Sequence, residues 1–207
     1  HRIPTPRYLL PESVMALLDD PTARMRVLDI GCGNRERGLK EFPNADVVGL
    51  DIEDDWDVER DGLPEGVWDV LFAHHLVEHL LDVDRFLDRC AEVMVPGYTK
   101  LIIGMPNLAS WVNRLLFLCG YLPRCYEVST RYNVGKPFGW GRDGLGGHIR
   151  VFTVDAFCEL LRAHGFTITR LVGERSTAPC WWGIRWVDGV LTQWPSLASA
   201  FRVEVVR

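Results

Sequence analysis

The six cysteines of this 207-residue chain stand singly, with no CxxC and no paired spacing. Neither a disulfide framework nor a zinc knuckle is indicated, and a reducing cytoplasm fits that usage. No apolar stretch reaches the ~18 residues of a membrane-spanning helix, and no basic-then-apolar leader stands at the start, which is His1. Basic excess is missing too. A formal net charge of −5 offers phosphate backbones no general attraction, and without a local basic patch nucleic acid is not an expected partner. There is no internal repeat and no low-complexity tract. What remains is the balance of an ordinary folded protein, 47% apolar and 25% charged, which excludes wholesale disorder. The length suits one domain, or one domain with an insertion.

Against these absences, residues 27 to 34 read VLDIGCGN. Val27, Leu28 and Ile30 make a short buried strand. Gly31 and Gly33 then remove two Cβ atoms where the chain must turn, so that a ligand can approach the main chain. A third glycine in the GxGxxG register is lacking, and so is the lysine of a phosphate-binding loop, which argues against a nicotinamide or a nucleoside triphosphate. Asp51 follows about 20 residues on at the end of the next strand, where a carboxylate can accept both hydroxyls of an adenosine ribose. Capping of its own loop is the alternative role for Asp51.

Strands and helices alternate. YLLPESVMALLDD places Leu10, Val14, Leu17 and Leu18 at helical spacing behind Pro11. ADVVGLDIE gives a second strand, Val70 to Ala73 a third, KLIIGMPN a fourth. From Leu76 to Val95 the apolar residues Leu80, Val83, Phe86, Leu87, Ala91 and Met94 predict one helix, closed by PGY. VFTVDAFCELLRAHGF reads as a helix capped by Thr153 and ended by Gly165, and ITRLVGE and FRVEVV as late strands. Such alternation implies a parallel sheet covered on both faces, with ligands at the carboxyl ends of the strands. Residues from about Leu108 to Gly147 break the rhythm. Long, aromatic and ending in GKPFGWGRDGLGG, they read as a lid or binding insertion. ASWVNRLLFLCGYLP within it sets Trp111, Leu115, Leu116, Leu118 and Tyr121 on broad apolar faces. These suit an acceptor-pocket cover, a membrane-surface contact or a homodimer face, with core packing as the plain alternative. WWGIRWVDGVLTQW carries the same ambiguity.

VLDIGCGN, VVGLDIE, WDVLFAHHLVEHL, VMVPGYTKLIIGMPN and GHIRVFTVDAFCELLRAHGF, in this order, resemble the class I S-adenosylmethionine-dependent methyltransferases. The nearest likeness is to the broad bacterial and archaeal group with a Glu-His pair and a late GHIR-FT segment. The likeness runs from about Arg26 to Glu174. PNLASWVNRLLFLCGYLP also resembles the MetW-type proteins of methionine biosynthesis. Arg35 stands where the commoner GxGxG has its third glycine, PGY replaces PGG, and the stretch between Asn34 and Asp46 is short for a full first helix.

The resemblance implies a Rossmann-like α/β fold, doubly wound around a mostly parallel seven-stranded sheet. It implies one domain over residues 1–207 with a lid or acceptor insertion at about 108–147. The implied cofactor is S-adenosyl-L-methionine, leaving S-adenosyl-L-homocysteine as product. Asp29 would orient the glycine loop and meet the methionine amino group, Gly31, Cys32 and Gly33 would lie against methionine and ribose, and Asp51 would take the ribose hydroxyls. Asp57 would meet the adenine amino group and the Val58 N–H its ring, with Ile52 and His74 also counted among the cofactor-binding residues. Asp54, Asp55, Glu59 and Asp61 crowd the same stretch and read as a solvated loop.

Methyl transfer to a hydroxyl requires a proton acceptor, and histidine suits it because its pKa lies near working pH. His148, His75 and His79 are the catalytic candidates; His164, near a helix end, reads as a surface or capping residue. His75, Glu78 and His79, at i, i+3 and i+4, would share one helix face. With His148 they compose a donor set able to hold a divalent metal, similar to the ExxEH and later His of the small-RNA 2′-O-methyltransferases, although His75 replaces the first Glu. Metal-free relatives keep the Glu-His pair, where hydrogen bonds would fix the helix start and the lid, and the expectation is no metal. The function expected is O-methylation of a saccharide, a lipid-linked intermediate or a small metabolite. A cofactor-binding partner protein of MetW type is the alternative.

Overall fold

The structure is a computed structural model that describes residues 10–20, 22–33, 36–137, 145–175 and 182–207. Asn34, Arg35, the whole of FGWGRDG and Trp181 of the tryptophan-rich stretch lie outside the described residues.

Helix α1 (Glu12–Asp19) leads into β1 (Arg26–Ile30), α2 (Glu36–Glu41), β2 (Asp46–Leu50) and β3 (Val70–His74). Then come α3 (Val83–Val93), β4 (Lys100–Pro106), α4 (Trp111–Leu118), α5 (Val154–Ala163), β5 (Thr167–Glu174), α6 (Trp182–Leu191) and β6 (Ala200–Val206). The strands form one sheet in the order β2-β1-β3-β4-β6-β5. β1, β2, β3 and β4 run parallel, and β6 inserts antiparallel between β4 and β5.

Period-two alternation sorts the strand side chains onto two faces. Leu28, Ile30, Leu71, Ala73, Leu101 and Ile103 pack with Phe86, Leu87 and Cys90 of α3 and Phe157 and Leu161 of α5. Val27, Val70, Phe72 and Ile102 point the other way, toward Phe42 and Val47. Both faces are therefore covered, as a mostly parallel sheet requires.

Two expectations need correction. The sheet of described residues has six strands, not seven. Between β2 and β3 the chain carries Asp54, Asp55, Asp57, Glu59 and Asp61 with Gly62, Pro64 and Gly66. It folds there into turns, because acids, glycines and proline are poor strand formers. The second correction concerns Leu76 to Val95, which is not one helix. A short 3₁₀ turn (Val77–His79) ends at an extended Leu80, and α3 starts afresh where Asp82 accepts the N–H of Arg85 at 2.9 Å. Asp82 is a better helix cap than helix interior, and the apolar periodicity on either side hides that break.

Thr153 caps α5 by accepting the Ala156 N–H (3.2 Å), and Gly165 with φ +81° follows its end. In α4, Val112 and Leu116 are buried whereas Leu115, Phe117 and Leu118 are exposed. Core packing thus accounts for one of its faces only. No described helix is long and apolar enough to cross a membrane.

Candidate functional site

The carboxyl ends of β1, β2 and β3 assemble the site. Gly31 turns the chain with φ +71°, and its N–H donates to the carbonyl of Leu50 at 2.8 Å. A Cβ on Gly31 would come within 2.8 Å of the Leu76 side chain, so the glycine turn rests on the turn that follows β3. Gly33 has φ +54°, and the space its Cβ would occupy is open. Its N–H donates to Asp51 Oδ2 at 2.7 Å, while Asp51 Oδ1 accepts the Glu53 N–H at 3.1 Å. One oxygen of Asp51 therefore holds the glycine turn and the other caps the next turn, which is the loop-capping role. An ionised carboxylate has about four acceptor positions, which leaves capacity for a ligand hydroxyl. Ile52 beside it is 72% exposed, an apolar face with nothing of the protein on it.

Asp29 is buried, and its Oδ2 accepts the Gly38 N–H of α2 at 3.1 Å. Burial pushes its carboxyl up to about 6, against the opposing pull of that N–H and of Arg37. It can thus change charge near neutrality and would be held ionised by a cationic ligand group. Cys32 is buried beneath the loop.

Asp57 and Val58 are occupied locally. Asp57 Oδ1 accepts the Glu59 N–H at 2.8 Å, and Val58 is buried with its carbonyl taking the guanidinium of Arg89.

His74 ends β3 with its ring buried. Its Nε2 lies 3.1 Å from Glu174 Oε2 and 2.9 Å from Arg37 Nη2, and its Nδ1 has no partner within the protein. Burial lowers the imidazole pKa, outweighing the Glu174 hydrogen bond. Burial likewise raises Glu174, but His74 and Arg202 together hold it at about 2. Arg202 Nε donates to Glu174 Oε1 at 2.8 Å and its Nη1 reaches Glu41. This chain of charges ties α2, β3, β5 and β6 together beside the cradle. Sequence reading missed Arg37, Glu41, Glu174 and Arg202, since pairs up to 161 residues apart leave no local pattern.

His75, His79 and His148 gather about the turn that follows β3. His75 takes the left-handed conformation, φ +57°, so the three residues do not share a regular helix face. Its Nδ1 meets Glu78 Oε1 at 2.8 Å. Glu78 is buried, and its carbonyl accepts the N–H groups of Ile149 (2.7 Å) and Arg150 (3.0 Å). The turn is thereby fastened to the segment bearing His148. His79 Nδ1 lies 3.2 Å from the Gly147 carbonyl, and His148 Nδ1 lies 3.1 Å from the Cys125 carbonyl. Burial lowers the His148 pKa despite the nearby Glu78 carboxylate. Glu127, also missed, accepts the N–H groups of Gly146 (2.6 Å) and Gly147 (2.9 Å). A cavity of about 380 Å³ opens beside His148, lined also by Glu127, Ser129, Thr130 and Ile149.

Residues 3–171 match the methyltransferase domain family. Over 101 residues the chain is 33% identical to the ubiquinone biosynthesis O-methyltransferase of Chelativorans sp. (strain BNC1), and it spans only 39% of that enzyme's length. An S-adenosylmethionine-dependent methyltransferase from Mesorhizobium loti superposes with a TM-score of 0.54 at 18% identity, over 97% of this chain and 95% of that one. The [4+2]-cyclase SpnF superposes at 0.53 and 14% identity, over 89% and 74%. Similarity at this level shows the fold alone, and the fold by itself does not fix a reaction. The match over residues 3–171 does fix the family, and the chain belongs to the methyltransferase domain family.

Proposed function

We propose that the protein is an S-adenosylmethionine-dependent methyltransferase that methylates a hydroxyl oxygen of a small metabolite, a saccharide or a lipid-linked intermediate. The observation that carries this reading is the cradle itself. An open Gly33 with φ +54°, a carboxylate of Asp51 already aimed at its N–H, and an uncovered Ile52 together fit a ribose carrying a flat apolar base. The O-methyltransferase from Chelativorans supports oxygen as the acceptor.

When bound, S-adenosylmethionine supplies a methyl carbon made electrophilic by a sulfonium. This chain's own residues hold and align. Asp51 binds the ribose hydroxyls, Asp29 meets the amino group, and Leu76 seats the glycine turn. On the acceptor side, His79 and His148 offer ring nitrogens beside the Glu78 carboxylate and the cavity next to His148. A hydroxyl brought there lies beside a carboxylate and two imidazoles, a setting in which an oxygen nucleophile can be held and eased of its hydrogen. The cavity walls exclude part of the water and orient the acceptor.

The test is turnover. S-adenosylmethionine is incubated with the protein and a panel of hydroxyl-bearing acceptors, and S-adenosylhomocysteine is quantified. Acceptor-dependent product bearing a new methyl ether supports the proposal. Cofactor binding without turnover on any acceptor supports a partner protein of MetW type instead.

A further inference from the structure

Three side chains outside the cradle converge where the turn after β3 meets the end of the 107–152 segment. One ligand atom each from Glu78, His79 and His148 lie within 4.8 Å of one another. Each is already aimed by a second contact. The Nδ1 atoms of His79 and His148 face the carbonyls of Gly147 and Cys125. A ring nitrogen facing a carbonyl carries the hydrogen, so Nε2 is the bare lone pair in both rings. Glu78 Oε1 is taken by His75 at 2.8 Å, whereas its buried Oε2 has no partner in the protein.

An orphaned buried carboxylate oxygen is costly, and its two neighbours in the cluster bring lone pairs too. A proton on one nitrogen relieves one pair, whereas a divalent cation satisfies all three groups at once. We infer that Glu78, His79 and His148 form a binding site for a first-row divalent transition-metal ion, with open positions that take an oxygen of the methyl acceptor. Two imidazoles and one carboxylate suit such an ion better than calcium or magnesium, which favour all-oxygen shells. Carbonyls behind ligating histidines are the usual outer contacts that fix a metal ligand's tautomer.

The backbone is pinned to match. Glu78 and the 149–150 segment share two hydrogen bonds, and Glu127 clamps Gly146 and Gly147. His75, held in a left-handed backbone that non-glycine residues disfavour, directs its Nδ1 at Glu78 Oε1. The sequence expectation was no metal, with His75 as the fourth ligand of the alternative. The structure moves His75 behind the carboxylate and leaves three ligands with open positions. The purpose given to the site rests on the methyltransferase reading, but its existence does not.

The test reads metal directly. Protein dialysed against a chelator and then against buffer is titrated with Co²⁺, following visible d–d absorption and metal content by mass spectrometry. The expected result is about one Co²⁺ per chain, lost in Glu78→Gln and in His79→Ala, with circular dichroism unchanged. The His79 side chain is partly exposed, so that variant keeps the test decisive if Glu78→Gln fails to fold. His75→Ala, acting through Glu78, is expected to weaken Co²⁺ affinity by roughly 10–100-fold. Saturation well below one ion, or equal binding in the folded variants, overturns the inference. Calorimetry with S-adenosylhomocysteine on the same metal-free samples separates the two ideas, because cofactor binding with no Co²⁺ binding sinks the metal site alone.

Discussion

The Gly33 N–H donates to Asp51 Oδ2 at 2.7 Å, which joins the glycine turn after β1 to the carboxylate after β2. Neither residue reaches the other through its neighbours in sequence. The bond exists because β1 and β2 are parallel and in register, Ile30 against Leu50, so both strands deliver their next residues to the same edge. A ribose arriving there finds the acceptor already oriented by the loop on which it lies.

Asp51→Ala is therefore expected to weaken S-adenosylhomocysteine binding by about 1.5–3 kcal/mol, the range for hydrogen bonds to a charged group. Calorimetry at fixed pH checks it, with the melting temperature as control for the lost Gly33 and Glu53 contacts. Equal affinity in a folded variant removes Asp51 from the site.

Cofactor affinity should depend on pH through Asp29. Burial raises its carboxyl to about 6, and a cationic amino group binds the ionised form. Affinity is thus expected to rise by about tenfold from pH 5 to pH 7 and to level off there, with a proton released on binding at the lower end. Asp29→Asn should flatten the profile. A wild-type affinity constant across this range contradicts the role given to Asp29.

Stability has its own pH signature at His164. Burial lowers this imidazole's pKa, but Asp84 and Asp88, each 2.9 Å away, more than reverse that and leave it raised. A raised folded value stabilises fully below the unfolded pKa near 6.5 and loses that contribution as pH climbs through the folded value. The melting-temperature gap between wild type and His164→Gln should be wider at pH 5.5 than at pH 8.5. Salt should narrow it, since both carboxylates are largely exposed. A gap that widens with pH would contradict this assignment.

Gly104→Ala probes the charged network. A Cβ there would sit 2.5 Å from the His74 ring, forcing it away from Glu174 at a cost of about 1–3 kcal/mol, typical of overpacking. Urea denaturation measures it. In the double variant with His74→Ala the losses should be less than additive, because the clash partner is gone; strict additivity would show that the two positions do not meet.

Most strands were legible in the sequence because their apolar runs are short, β-rich and bounded by turn residues. The cradle was legible because Gly31, Gly33 and Asp51 sit at the ends of such runs. The break at Leu80 was not, since Leu80 and Val83 both face the core and keep the apolar spacing of a single helix. Nor were the contacts that aim the histidines. Gly147, Cys125 and Glu127 act through carbonyls or through a carboxylate on backbone N–H groups, and such bonds carry no residue signature. Nor was the pairing of His74 with Glu174 one hundred residues away, a partnership made only by the sheet order.

The measurement that tests the central claim most directly is a crystal structure grown with S-adenosylhomocysteine. The account predicts its ribose hydroxyls on Asp51, its adenine against Ile52, its amino group at Asp29, and its sulfur facing the side where His79 and His148 gather. Density for the ligand elsewhere on the molecule, or an open cradle at saturating ligand, would contradict it.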